Sequence, residues 1–198
     1  DSPDINAFAL PGGYIYINRG LIAYLNSEDE MAAVLGHEIG HVTDRHSVRQ
    51  QAARQTNSVV AGVLVVATGV GSLGETSSLL GGALLSGYGR EMELAADGLG
   101  AEYLAAAGYD PLAMVEVIGV LKNHEDFTKR TSSGASSYHG VFATHPRNDT
   151  RLQEVVGRAN ELAAENENEV DPDKFREIIS GLSIGPSTQL AGSNARNR

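Results

Sequence analysis

The sequence predicts a mainly α-helical α+β fold, in which a small antiparallel sheet packs on the helix bundle that carries the chemistry. Three observations predict it. One short aromatic and β-branched stretch, residues 12–18, stands near the start. A helix-starting signal, Ser27-Glu28-Asp29-Glu30, follows it. Beyond residue 87 the chain becomes a succession of Ala-, Leu- and Glu-rich stretches parted by Gly108 and by Asp110-Pro111.

The elements follow in order. Residues 12–18 (Gly-Gly-Tyr-Ile-Tyr-Ile-Asn) read as a strand, residues 5–9 as its hairpin partner, and Leu10-Pro11-Gly12-Gly13 as the turn between them. Ser27 and Glu30 make a capping box, and Glu28, Asp29 and Glu30 crowd a first turn whose dipole favours negative charge. Apolar residues at 31, 34, 35, 39 and 42 predict the core-facing stripe of that helix. Gly36 and Gly40 leave room for another element to come close, and the helix is expected to run past Arg45 toward Arg54. Residues 58–87 are apolar and glycine-rich. Their uninterrupted apolar run falls short of the roughly 20 residues that span a bilayer. They are expected to form a buried or membrane-apposed helical hairpin that can associate with a membrane surface. Helices are expected over 88–107, over 111 to about 123 with Asp110 as its cap, over 147–166 and over 173–180, with a polar loop at 124–146.

Composition restricts the chemistry. The chain has 198 residues, 41% of them apolar, as expected of one globular domain with a core. A net charge of −10 argues against nucleic acid as a partner, since such a protein carries a basic face. With no cysteine, any metal has to be held by imidazole and carboxylate. The chain opens at Asp1 with neither a Met nor a signal peptide and is expected to be a mature or trimmed form of something longer.

The chemistry concentrates at His37-Glu38-Ile39-Gly40-His41. Positions i and i+4 of a helix share one face, so His37 and His41 can offer two imidazoles to one ion. Glu38 can then reach a water held by the same ion. This H-E-x-x-H arrangement supplies two metal ligands and a general base for attack on a peptide bond.

A catalytic zinc takes three protein ligands and leaves a position open. Glu93 and Asp97 stand at i and i+4 in an Ala-rich helix, where a buried carboxylate needs a partner. One reading makes Glu93 the third ligand and lets Asp97 accept a hydrogen bond from the outer nitrogen of a ligand histidine. The other makes both an ordinary exposed acidic face.

The segments Gly36-His37-Glu38-Ile39-Gly40-His41-Val42 and Glu93-Leu94-Ala95-Ala96-Asp97-Gly98 together resemble the M48 family of zinc metallopeptidases, which are gluzincins. Asn6-Ala7-Phe8-Ala9-Leu10-Pro11-Gly12-Gly13-Tyr14-Ile15-Tyr16 is similar to the family's strand before the active helix. Ala107-Gly108-Tyr109-Asp110-Pro111 and Thr144-His145-Pro146 with Arg151 add to the likeness, which covers most of the chain. The resemblance implies a zincin-type active-site bundle, with residues 1–180 a single metallopeptidase domain and 181–198 a loose tail. It implies His37, His41 and Glu93 as ligands of one Zn2+, Glu38 as general base, Asp97 behind a ligand, and His145 as a second catalytic residue. It also implies the soluble bacterial branch, at work in the periplasm or cell envelope on unfolded or damaged proteins. Membrane-embedded relatives carry long spanning helices between the two metal motifs, and the short 58–87 segment departs from them.

An extended substrate is expected to add to the strand at 12–18, with Asn6, Gly13, Tyr14, Ile15 and Tyr16 as candidate contacts. His145 has two functional readings, a hydrogen-bond donor to the oxyanion or a side chain that blocks the open position at rest, beside a plain surface role. His46, nine residues after His37, falls half a turn out of phase on a straight helix and reads as structural. His124, His139 and Arg151 carry no specific signal as residues; His124 and His139 read as solvated, and Arg151 either pairs with a carboxylate near the site or lies solvated on a helix face. The rival to a zinc endopeptidase is a zinc-bound, proteolytically silent holdase that grips unfolded chains through 58–87.

Overall fold

A computed structural model describes residues 2–10, 12–53, 55–56, 89–131, 145, 149–164 and 172–182. The expected apolar hairpin at 58–87, His139 and the tail beyond 182 lie outside the described residues. Strands β1 (Ala7–Leu10) and β2 (Tyr14–Ile17) pair antiparallel, Phe8 opposite Tyr16. Gly12 and Gly13 turn the chain between them at φ 100° and 88°, a region that glycine enters without cost. A short helix outside the expected elements, α1 (Arg19–Ile22), buries Leu21 completely.

Helix α2 (Glu28–Thr43) starts where its cap predicts. Ser27 Oγ accepts from the Glu30 backbone N–H at 3.2 Å. Glu30 answers one residue further back than a standard capping box: its carboxylate accepts from the Asn26 N–H at 2.6 Å. The far end differs from expectation. The helix stops at Thr43, Arg45 takes φ 54°, and helical backbone resumes as α3 (46–53). This left-handed residue redirects the chain between α2 and α3.

Helix α4 (Arg90–Ala107) ends at Gly108, which caps it at φ 83°. Asp110 Oδ1 then accepts from the Leu112 N–H at 2.9 Å and leads into α5 (Ala113–Thr131). That helix runs eight residues past the expected end near Asn123, so the stretch 124–131 assigned to a loop is helical. Helices α6 (Asp149–Ala163) and α7 (Pro172–Ile179) complete the described elements.

Helix α2 crosses α4 at its small residues. A Cβ on Gly40 would lie 3.0 Å from the Ala96 backbone, and one on Gly36 would lie 3.1 Å from the Gly100 carbonyl oxygen. The close approach anticipated at both glycines is therefore made by α4. It also redraws the buried face of α2. The expected apolar stripe holds at Val34 but fails at Ile39, which is 38% exposed. In this half of the helix the buried residues are Gly36, Glu38, Gly40 and His41, because what faces α4 is the site rather than the core. The core lies beside it, built from Leu21, Leu25, Ala33, Val34, Leu104, Met114, Val117 and Val155. Among the described residues no helix is long and apolar enough to cross a membrane.

Candidate metal centre

Three segments meet at the crossing. Helix α2 supplies His37, Glu38 and His41, α4 supplies Glu93 and Asp97, and the chain before α6 supplies His145. His37 Nε2 lies 3.0 Å from His41 Nε2 and 3.7 Å from Glu93 Oε2, and His41 Nε2 lies 3.4 Å from Glu93 Oε1. His145 Nδ1 lies 3.2 Å from His37 Nε2 and 3.0 Å from Glu93 Oε1. Donor atoms of these four residues all fall within 4.8 Å of one another. Tetrahedral zinc bonds of about 2.0–2.1 Å place neighbouring donors about 3.4 Å apart. The observed separations bracket that value, so the donor set fits a small divalent cation held by nitrogen and oxygen.

Burial makes the arrangement costly unless its charges are paired. Glu93 and Asp97 are fully buried, and Glu38 and His41 nearly so. Burial lowers the pKa of His41, and the neighbouring His37, His145, His46 and Arg151 lower it further, so its ring stays neutral with a lone pair to donate. Burial works against the charge of Glu38. The hydrogen bond and charge of His145, with His37 and the Ala9 backbone N–H, outweigh it and lower the carboxyl pKa. Burial likewise opposes a charge on His145, but Glu93 and Glu38 prevail and hold it up at about 9. Its Nε2 lies 3.4 Å from Glu38 Oε1, so this one ring faces both the candidate ligand and the candidate base.

The outer nitrogens of the two α2 histidines are supported differently. His37 Nδ1 meets Asp97 Oδ1 directly at 2.8 Å. Burial raises the Asp97 pKa, but His37 and Arg151 overcome it and bring it down to about 2. Arg151 grips Asp97 through two bonds of 2.8 Å and reaches Glu93 Oε2 with its remaining nitrogen at 2.8 Å. His41 Nδ1 instead meets His46 Nδ1 at 2.9 Å, and His46 Nε2 lies 2.7 Å from Asp44 Oδ2. His46, expected to be structural, lies against a candidate ligand, and of the two expectations for Arg151 the pairing with a carboxylate near the site is the one observed. For Arg151 the His-Pro-x4-Arg spacing carried a hint. For His46 the straight-helix phase pointed away from the site.

The expected substrate contacts are split. The Asn18 N–H donates to the Asn6 carbonyl at 2.9 Å, which sets the phase of the ladder. The N–H and C=O groups of Ala7 and Ala9 therefore point off the edge of β1 away from β2. The Ala9 N–H faces the Glu38 carboxylate, so the strand beside the site is β1. Gly13, Tyr14, Ile15 and Tyr16 belong to the turn and β2, where Tyr14 is 67% exposed. Asn6 adjoins β1, with its Oδ1 buried and without a hydrogen-bond partner among the described residues. A cavity of about 50 Å³ opens beside Glu38 and His145, with Ala7, Val34, Met114 and Val117 in its wall.

Comparison with known proteins points the same way. The model of Peptidase family M48 matches residues 1–159. The beta-barrel assembly-enhancing protease of Escherichia coli O157:H7 is 30% identical over 178 residues, covering 82% of this chain and 34% of that protein. The putative beta-barrel assembly-enhancing protease of Vibrio cholerae is 34% identical over 167 residues, covering 80% and 33%. The mitochondrial metalloendopeptidase OMA1 of Arabidopsis thaliana is 31% identical over 160 residues, covering 81% and 30%. The chain thus spans about a third of the length of these relatives.

Proposed function

The chain belongs to the M48 family of metallopeptidases, and on that premise we propose that it is a zinc-dependent endopeptidase acting on unfolded or damaged proteins of the bacterial cell envelope. The observation that carries this reading is the convergence of His37 Nε2, His41 Nε2 and a Glu93 oxygen at 3.0–3.7 Å, with Glu38 buried beside them. His37, His41 and Glu93 would hold one zinc ion. The ion supplies Lewis-acid chemistry, polarising the scissile carbonyl and making water easier to deprotonate. The chain's own residues do the rest. Glu38, kept ionised, takes the proton of the attacking water and passes it to the leaving amine. Asp97 holds His37 in the tautomer that leaves Nε2 free.

An extended peptide adds alongside β1, the strand nearest Glu38, through backbone hydrogen bonds that read little sequence. Asn6 stands at the end of that strand. Gly13, Tyr14, Ile15 and Tyr16 act at one remove, by holding β1 in place. The apolar cavity beside Glu38 suits a small aliphatic side chain of the substrate. We assign His145, whose Nδ1 lies 3.2 Å from His37 Nε2 and 3.0 Å from Glu93 Oε1, to cover the open position at rest and to leave as substrate enters.

The envelope assignment rests on the relatives named for β-barrel assembly. Incubation with unfolded casein should give fragments that a zinc chelator suppresses. Protection from aggregation without fragments would instead mark a holdase. The Glu38→Gln protein should keep one zinc by atomic absorption and lose cleavage by at least about a hundredfold. The His145→Ala protein should cleave faster than the native chain. A slower rate would assign His145 to stabilising the transition state.

A further inference from the structure

We propose that His46 and Asp44 form a positioning relay that holds His41 in the tautomer and ring orientation needed to give Nε2 to the metal. The inference rests on the metal-site reading and extends it to two residues outside the H-E-x-x-H motif.

A neutral imidazole has one N–H and one lone pair. If His41 Nε2 keeps its lone pair for a cation shared with His37 Nε2 and Glu93 Oε1, which lie 3.0 and 3.4 Å from it, the proton of His41 must sit on Nδ1. The partner there is His46 Nδ1 at 2.9 Å, which must accept. The proton of His46 then sits on Nε2, where the Asp44 carboxylate lies 2.7 Å away as a charge contact outside hydrogen-bond geometry. Asp44 Oδ2 accepts from Arg49 at 2.7 Å. The His41–His46 contact therefore fixes both tautomers, and the negative charge of Asp44 favours a proton on the facing nitrogen of His46. Shifting either proton to the other ring nitrogen would set two N–H groups or two lone pairs against each other.

The backbone is built to make this contact. His46 is completely buried, though it follows a helix end and sits between the exposed residues Arg45 and Val48. On an unbroken helix it would point about 140° away from His41. Arg45 at φ 54° breaks that course. Left-handed backbone is uncommon outside glycine and asparagine, and it persists where the surroundings demand it. Here it brings the ring of His46 to 4.9 Å from that of His41, nearly edge-on at 71°.

The test measures zinc affinity by competition with a chromophoric chelator, and the visible spectrum of the Co2+-loaded protein. His46→Leu removes the acceptor and should weaken zinc binding about 10- to 100-fold and alter the Co2+ bands. His46→Asn keeps an acceptor oxygen near the position of Nδ1 and should restore most of the affinity and the native bands. Thermal melts of the metal-free proteins show whether each variant folds. Unchanged affinity and spectrum in His46→Leu would overturn the relay. Equal weakening in the Leu and Asn proteins would overturn it too, because packing rather than hydrogen bonding would then be at work. A native chain that binds no zinc would instead overturn the metal site itself.

Discussion

The two α2 histidines are held from behind in contrasting ways. His37 has a direct and fully buried support: Asp97 at 2.8 Å, itself clamped by Arg151. His41 is supported through an intermediary, and its chain ends on Asp44, a carboxylate 42% exposed beside an arginine 54% exposed. The difference teaches where strength and adjustability reside. A buried carboxylate with a guanidinium at its back is locked, since removing one partner strands a charge away from water. A relay that ends at the surface is screened by solvent and salt, and its outermost contact contributes little.

The largest expected effect erases the comparison. His37→Ala and His41→Ala should each abolish stoichiometric zinc, as measured by atomic absorption, and zinc retained by either would remove that residue from the proposed ligand set. Next comes the locked side. Asp97→Asn leaves Arg151 poorly matched and His37 without its acceptor. It should lower zinc affinity about 10- to 100-fold and cost about 3 kcal/mol in a denaturant melt of the metal-free protein. A loss of affinity with unchanged stability would show that the clamp serves the metal alone.

Gly40→Ala tests what both sides share, the close crossing of α2 and α4. The added methyl would lie 3.0 Å from the Ala96 backbone, which cannot move aside as a side chain can. A loss of about 1–3 kcal/mol is expected, with zinc affinity falling as Glu93 is pushed from the histidines. The smallest effect belongs to the surface end of the relay. Asp44→Asn should change zinc affinity by no more than about fivefold and leave the metal-free melt unmoved. A loss as large as that of Asp97→Asn would make the two supports equivalent.

Some of this molecule is written in short-range pattern. A period of 3.6 puts His37 and His41 on one face and Glu93 and Asp97 on another whatever else the chain does. The cap at Ser27, the stop at Gly108 and the room left at Gly36 and Gly40 are likewise local, because each follows from the chemistry of a few adjacent residues. The apolar stripe of α2 misled at Ile39 because periodicity reports which residues share a face, not what that face will meet. Helix α5 outran its expected end because polar residues at 124–131 are compatible with an exposed helix as much as with a loop.

The rest depends on how the elements cross. That β1 rather than β2 lies beside Glu38 follows from which edge of the hairpin packs on α2. The meeting of Glu93 and His145 with the α2 histidines, and the grip of Arg151 on Asp97, join residues up to 108 positions apart. The turn of His46 onto His41 hangs on one backbone angle at Arg45. No local preference selects these contacts. They form because burying so many charged and polar groups at one crossing is tolerable only when each finds its partner, and those partners come together only in the folded chain.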